Sequence, residues 1–197
     1  MTYEDFINIY PWVDLVLQLF QGIFPTVVAL LAIYINNKRA AERDRKNRKD
    51  KMAIDTLYNA RVKYMQLTEQ YNAMANIIRD LIKERDLQSR NELRQKYLDN
   101  MYKTQNLVSE CESYNSLLRT MKVGVTAENA LVNNFGEFID GMGSIYEKYA
   151  NTYNLEHDQY YFSIEESSNE VKEILSDTVA WEYVSIGNID KKINEIL

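Results

Sequence analysis

From Leu15 to Asn37 the chain carries no charged residue, and Leu15 to Ile35 is an apolar run broken only by Gln18, Gln21, Gly22, Pro25, Thr26 and Tyr34. At about 1.5 Å rise per residue this run reaches roughly 30 Å as a helix, the thickness of a bilayer's hydrocarbon core. Tyr10 and Trp12 flank one end and Tyr34 the other, where amphipathic rings favour the headgroup region. The pattern predicts a transmembrane helix over 15–37. Two other readings stand beside it. A cleaved signal peptide would start with bases and end on small residues, whereas this chain starts acidic and leaves the run through Asn-Asn-Lys-Arg. A buried core helix would not lead straight into a basic cluster.

Beyond residue 51 the pattern changes to helical seams. Leu57, Ala60, Tyr64, Leu67, Tyr71, Met74, Ile78 and Leu81 alternate three and four residues apart, the spacing of one inward helix face. A break is expected near Asp86, with Ser89 to Glu92 read as a capping box. A second seam follows at Leu93, Tyr97, Asn100, Thr104, Leu107, Cys111, Tyr114, Leu118 and Met121. Two helices of about 30 residues with a short break between them predict an antiparallel hairpin. Gly124 is read as ending the second helix and Thr126 as capping a third. The third seam is Leu131, Phe135, Phe138, Met142, Ile145 and Tyr149. Gly136, Gly141 and Gly143 lie inside it, marking either close helix contact or a break near 141–143. Residues 151–161 read as a loop. A fourth helix is expected over 162–183, with Ile164, Val171, Ile174, Leu175 and Val179 inward, then a short terminal helix over 188–197 after Ser185-Ile-Gly187-Asn. A buried β-pair around 179–186 is the alternative there.

The fold expected is therefore all-α: a single N-terminal transmembrane helix followed by a cytoplasmic antiparallel helical bundle with a coiled-coil-like hairpin. Its parts are a short extracytoplasmic tail (1–14), the span (15–37), a basic juxtamembrane stalk (38–51) and a helical domain (52–197). That domain divides into the hairpin (52–122) and an acidic part (123–197). Composition agrees. Both prolines, Pro11 and Pro25, fall in the first 25 residues, so nothing downstream interrupts long helices. The single Cys excludes a disulfide framework and a multi-Cys zinc site, and the single His excludes a multi-His cage within one chain.

Charge supplies an orientation. Residues 1–37 hold Glu4, Asp5 and Asp14 and no base. Residues 38–51 hold Lys38, Arg39, Arg43, Arg45, Lys46, Arg48, Lys49 and Lys51 against three acids. Positive flanks stay cytoplasmic, so the N-terminus is expected outside and the C-terminal domain inside a cell membrane. These bases are also positioned for anionic lipid headgroups. Without interleaved aromatics they make a poor nucleic-acid surface, and no nucleic-acid partner is expected. Residues 123–197 carry four bases and fourteen acids, read as a solvated surface or as bait for a basic partner.

One face of the span differs from the rest. Asp14, Gln18, Gly22, Pro25, Ala29, Ala32 and Asn36 recur three and four residues apart, a stripe that is small or polar from end to end. Small residues let helices approach and amides seek partners in lipid, so the stripe is a candidate association face. Chemistry is sparse elsewhere. Cys111 falls on a seam with no base cluster beside it, which reads as an inert buried thiol. His157 sits between two acids, a solvated side chain or a pH-responsive contact. Glu165, Glu166, Glu170 and Glu173 lack convergent ligands from a second helix. Tyr153, Tyr160 and Tyr161 cluster as a possible contact surface. No cofactor and no metal are expected, and the chain is read as no enzyme.

The first functional expectation is a membrane-anchored, non-enzymatic interaction or scaffold protein. It would hold its own oligomer, or another membrane or cytoplasmic protein, at the cytoplasmic face. The second is an oligomeric membrane-active effector whose polar stripe lines a pore gated by the cytoplasmic helices. An enzyme using Glu166 and Glu170 is the third. Periodicity alone leaves open whether the seams close within one chain or between chains.

Overall fold

The computed structural model describes residues 10–124, 130–149 and 157–197. It is all-α, with four helices and no strand among the described residues: α1 (Pro11–Lys83), α2 (Leu87–Thr120), α3 (Ala130–Tyr149) and α4 (His157–Ile196). The chain divides into two compact units, Met1–Lys49 and Asp50–Leu197. α1 runs unbroken through the boundary, Pro25 included.

In the first unit the apolar run forms a helix that stays exposed along its length. Every residue from 15 to 49 is exposed, including Phe20, Ile23, Phe24, Leu30, Leu31 and Ile33. A helix that exposes so long an apolar run, and buries none of it among the described residues, suits lipid better than water. Among the described residues it is the one helix long and apolar enough to cross a membrane.

The second unit is an up-down-up-down four-helix bundle. The direction of each helix follows from its cross-contacts. α2 runs against α1: Thr104 meets Met74, and Asn115 meets Tyr64. α4 runs against α3, with Glu170 at Tyr149, Ile174 at Gly141 and Glu182 at Asn134. It also runs against α1, from Tyr160 at Lys83 to Asp190 at Arg61. All four seams meet in one core within a single chain. Each fully buried aliphatic or aromatic side chain there contributes about 1.5–3 kcal/mol.

The α1 seam is buried throughout: Leu57, Ala60, Tyr64, Leu67, Tyr71, Met74, Ile78 and Leu81. On α2 the stripe lies slightly to one side of the expected one. Thr104, Val108, Cys111, Asn115 and Leu118 are buried, while Leu107 and Tyr114 are half-buried at its edge. Both spacings fit a 3.6-residue period, and Val108 and Asn115 win because the stripe turns toward α1, where Asn115 bonds Tyr64. On α3, Leu131, Phe138, Met142, Ile145 and Tyr149 are buried, and Phe135 is half-buried beside Tyr71.

Three expectations need correction, and at Gly141 the reading of close helix contact holds over that of a break. The α2 cap is Asp86, whose carboxylate accepts from the Ser89 amide at 2.8 Å. Ser89 is already inside the helix, and Glu92 accepts from Gln88 rather than reaching back to an amide. An acid at the N-cap suits the helix dipole and spares Ser89 that task. There is no break at 141–143: α3 is continuous, and a methyl group at 141 would lie 2.7 Å from Ile174 Cδ1. Gly141 thus admits Ile174 of α4 against the α3 backbone. The expected loop 151–161 ends by His157, where α4 begins. Residues 150–156 lie outside the described residues, as does Thr126. Finally, α4 is one helix to Ile196. Ser185 and Ile186 are buried in it, which excludes both the break and the β-pair, and Gly187 sits on the open side.

The end of α2 is a Schellman turn without its usual glycine. The Val123 amide reaches Leu118 O at 2.8 Å and the Lys122 amide reaches Arg119 O at 2.9 Å. Lys122 holds the left-handed position at φ 64, which costs a side-chain-bearing residue about 1–2 kcal/mol. Lys122→Gly is therefore expected to raise the bundle's stability by about 1 kcal/mol in chemical denaturation. A loss of stability would mean that the Lys122 side chain, not its backbone, matters there.

Candidate membrane span and core polar layer

The stripe on the span lies on one helix face by its register in α1. Gln18, Gly22, Pro25, Ala29, Ala32 and Asn36 are exposed and Asp14 is half-buried. Two of its polar groups find partners within the helix. The Gln18 amide donates to Asp14 Oδ2 at 2.9 Å, one turn earlier. Thr26 Oγ1 donates to Gly22 O at 3.3 Å, engaging a carbonyl next to the turn that Pro25 interrupts. Phe20 and Phe24 stack at 6.1 Å between centroids off this stripe. Gly22 has open space where a side chain would stand. The face thus offers a shallow, small-residue surface whose N-terminal polar pair, Gln18 and Asp14, is hydrogen-bonded to itself.

The basic run continues the same helix. Lys38, Arg39, Arg43, Arg45, Lys46, Arg48, Lys49 and Lys51 are all exposed, with Arg43 Nε donating to Arg39 O at 3.4 Å. Among the described residues none of the eight takes part in an ion pair. They remain open to anions at the position immediately following the apolar run.

In the bundle, sequence reasoning missed the most unusual residue. Glu182 is completely buried, in the stripe formed by Val171, Thr178, Ser185, Ile189 and Ile193 of α4. Asn134 of α3 donates to its Oε1 at 3.4 Å, and its Oε2 finds no hydrogen-bond partner among the described residues. Burial pushes the carboxyl group up to about 8, against a smaller opposing effect of Asn134. Around it stand other polar groups that the core also encloses. Burial, and next the Glu182 charge, raise the Tyr71 hydroxyl on α1, which has no partner among the described residues. Burial, and next Glu182, push the Cys111 thiol on α2 up to about 12. Asn115 Nδ2 donates to Tyr64 Oη at 2.8 Å, but its Oδ1 is unmet among the described residues. A signal for Glu182 existed: counting in threes and fours from Val171 through Leu175 and Thr178 reaches 182 before Ser185 and Ile189.

The remaining candidates take plain structural places. Cys111 is fully buried, and its raised thiol is a poor nucleophile. Glu166 and Glu170 face Lys148 of α3, whose Nζ lies 3.7 Å and 2.5 Å away, and Tyr149 donates to Glu170 at 2.9 Å. Lys148 holds the Glu170 carboxyl below its usual range. These carboxylates tie α3 to α4, and no group of three metal-ligating side chains occurs among the described residues. Tyr160 is not part of a surface cluster: it is buried, donates to Lys83 O at 2.7 Å and lies under Arg85 at 3.9 Å. Tyr161 is exposed, while Tyr153 and the His157 side chain lie outside the described residues. No protein-family model, no curated protein and no solved structure matches the chain.

Proposed function

We propose that the chain is a membrane-anchored, non-enzymatic helical interaction protein. Residues 15–37 span the cell membrane once, the tail before them is outside, and the bundle stands at the cytoplasmic face. The observation that carries this reading is one unbroken helix in which an exposed apolar run is followed at once by eight exposed bases. Such a helix is stable where the apolar part meets lipid and the bases meet anionic headgroups, each worth about 1 kcal/mol near the surface. The bundle needs no second copy to close its core, so it offers its outer surface to a cytoplasmic partner. The small stripe then serves association within the membrane, with a second copy or another membrane helix. Anchoring concentrates the bundles in two dimensions, which makes weak pairing effective.

The pore reading draws on the same stripe. Its polar groups concentrate toward the outer end, where Gln18 is bonded to Asp14, and the middle of the stripe is Gly, Pro and Ala. Small residues in mid-span suit helix packing better than they suit a water-filled lining.

The test is oligomeric mass by sedimentation equilibrium in detergent. Full-length protein is expected to self-associate, and residues 50–197 in buffer to be monomeric. Gly22→Ile together with Ala29→Ile is expected to weaken association about tenfold, equivalent to about 1.4 kcal/mol. A double variant that associates as well as the parent would remove the stripe from the interface. Assembly by 50–197 alone would move the interface to the bundle.

A further inference from the structure

The core of a four-helix bundle is the costliest place in a small protein for a carboxylic acid. Glu182 sits there with no exposed surface, contacted from α3 by Asn134 and flanked from α1 and α2 by Tyr71 and Cys111. The groups facing it are thus two further acids and a neutral amide. Among the described residues no cation contributes to its environment; Lys63, which acts on Cys111, is paired with Glu110 at 2.7 Å. As a neutral acid the side chain carries no charge into the core and leaves only Oε2 without a hydrogen-bond partner among the described residues. As a carboxylate it would be a bare charge in a low-dielectric layer, with nothing to neutralise it.

We propose that Glu182 is a proton-gated latch: with its proton in place the four-helix core is shut, and loss of that proton opens the 178–193 segment of α4 away from the other helices. The location favours opening over quiet tolerance. The half of α4 that follows Glu182 is held by apolar contacts of Ile186, Ile189 and Ile193 and, at the surface, by the Arg61–Asp190 pair at 2.7 Å. That pair is more than one-third exposed on both sides and holds weakly. The other half of α4 is tied to α3 by Lys148 with Glu166 and Glu170, and to α1 by Tyr160. Hydrating the carboxylate therefore requires the 178–193 segment to move, while the earlier segment stays docked. The movement uncovers a strip of Ile186, Ile189 and Ile193, with Trp181 beside Tyr64. It turns a closed bundle into one with an apolar groove. The ordinary range of intracellular pH lies where the buried acid and an exposed one differ in protonation, because burial raises this carboxyl group so far.

The chain contains its own reporter. Cys111 is the one cysteine, it is fully buried, and it lies in the same layer. Full-length protein in detergent micelles is labelled with iodoacetamide between pH 5.5 and 7.5. Each rate is divided by that of the same chain unfolded in guanidinium at the same pH, which cancels the intrinsic thiolate fraction. One proton released on opening makes protection fall about tenfold per pH unit. The wild type is expected to show that slope and Glu182→Gln to show none. Should Glu182→Gln fail to fold, Glu182→Met carries the same expectation, since it also removes the titrating group. Flat protection in the wild type, or the same slope in wild type and variant, overturns the latch.

Discussion

Glu182→Gln is expected to leave the 50–197 bundle unchanged in stability near pH 4 and to make it about 4 kcal/mol more stable at pH 7.5. The sign follows from which state holds the proton. In the folded chain burial raises the carboxyl group to about 8, whereas its ordinary value is 4.5. Between these values the folded state keeps the proton that the unfolded state has lost. Unfolding then releases one proton, and the stability of the parent falls by about 1.4 kcal/mol per pH unit as pH rises. Below about 4.5 both states are protonated and the slope vanishes. Above about 8 both are ionised, the slope vanishes again, and the whole cost has been incurred. Glutamine keeps the shape and the contact with Asn134 and has nothing to titrate. Chemical denaturation at pH 4, 6, 7.5 and 9 reads the difference directly. Two parallel curves would mean that the folded carboxyl group reaches water without opening the bundle.

Phe138→Ala is expected to cost the same unit about 3–5 kcal/mol, a large share of the stability of an ordinary small domain. Phe138 is fully buried on α3 and its ring lies 4.7 Å from that of Tyr71 on α1, and Phe135, also on α3, lies 6.4 Å from the same Tyr71 ring. This trio packs α1 against α3 across the diagonal of the bundle. Removing the Phe138 ring deletes the closer of the two α3 rings packed on Tyr71 and leaves a cavity between α1 and α3. Tyr71→Phe provides the contrast. It keeps the ring and deletes a hydroxyl that has no partner among the described residues, so it is expected to be neutral or stabilising by up to about 1 kcal/mol. Thermal unfolding of the two variants separates packing from polarity. A costly Tyr71→Phe would show that the hydroxyl is hydrogen-bonded in solution.

The elements that were legible in the sequence are those whose burial is apolar. Leu57 to Leu81 and Leu131 to Tyr149 declare their inward faces, because the apolar period coincides with the helix period. The span is legible for a different reason: its composition has no periodic alternative over Leu15 to Ile35. On α2 the expected Thr104, Cys111 and Leu118 are buried, but Val108 and Asn115 take the places of Leu107 and Tyr114, because a polar Asn115 shifts the apparent seam toward Tyr114. α4 was cut short because Ser185, Gly187 and Asn188 resemble helix punctuation. Tertiary contacts overrode that signal, since Ser185 donates to Trp181 O within the helix and Ile186, Ile189 and Ile193 continue the core. Glu182 was invisible to a search for acids in pairs. A lone acid on an apolar stripe carries no motif, and its character comes from the three other helices around it.

The approach of Ile174 to Gly141 has a consequence for how this sequence can drift. The two positions are 33 residues apart, yet the volume at one is set by the volume at the other. The end of the Ile174 side chain can rotate to admit a methyl group at 141, but a larger group there would push α4 outward. Genetic variation that enlarges position 141 is therefore compatible with the bundle when position 174 shrinks to Val or Ala. In chains descended from a common ancestor with this one, the pair is a place where two substitutions travel together.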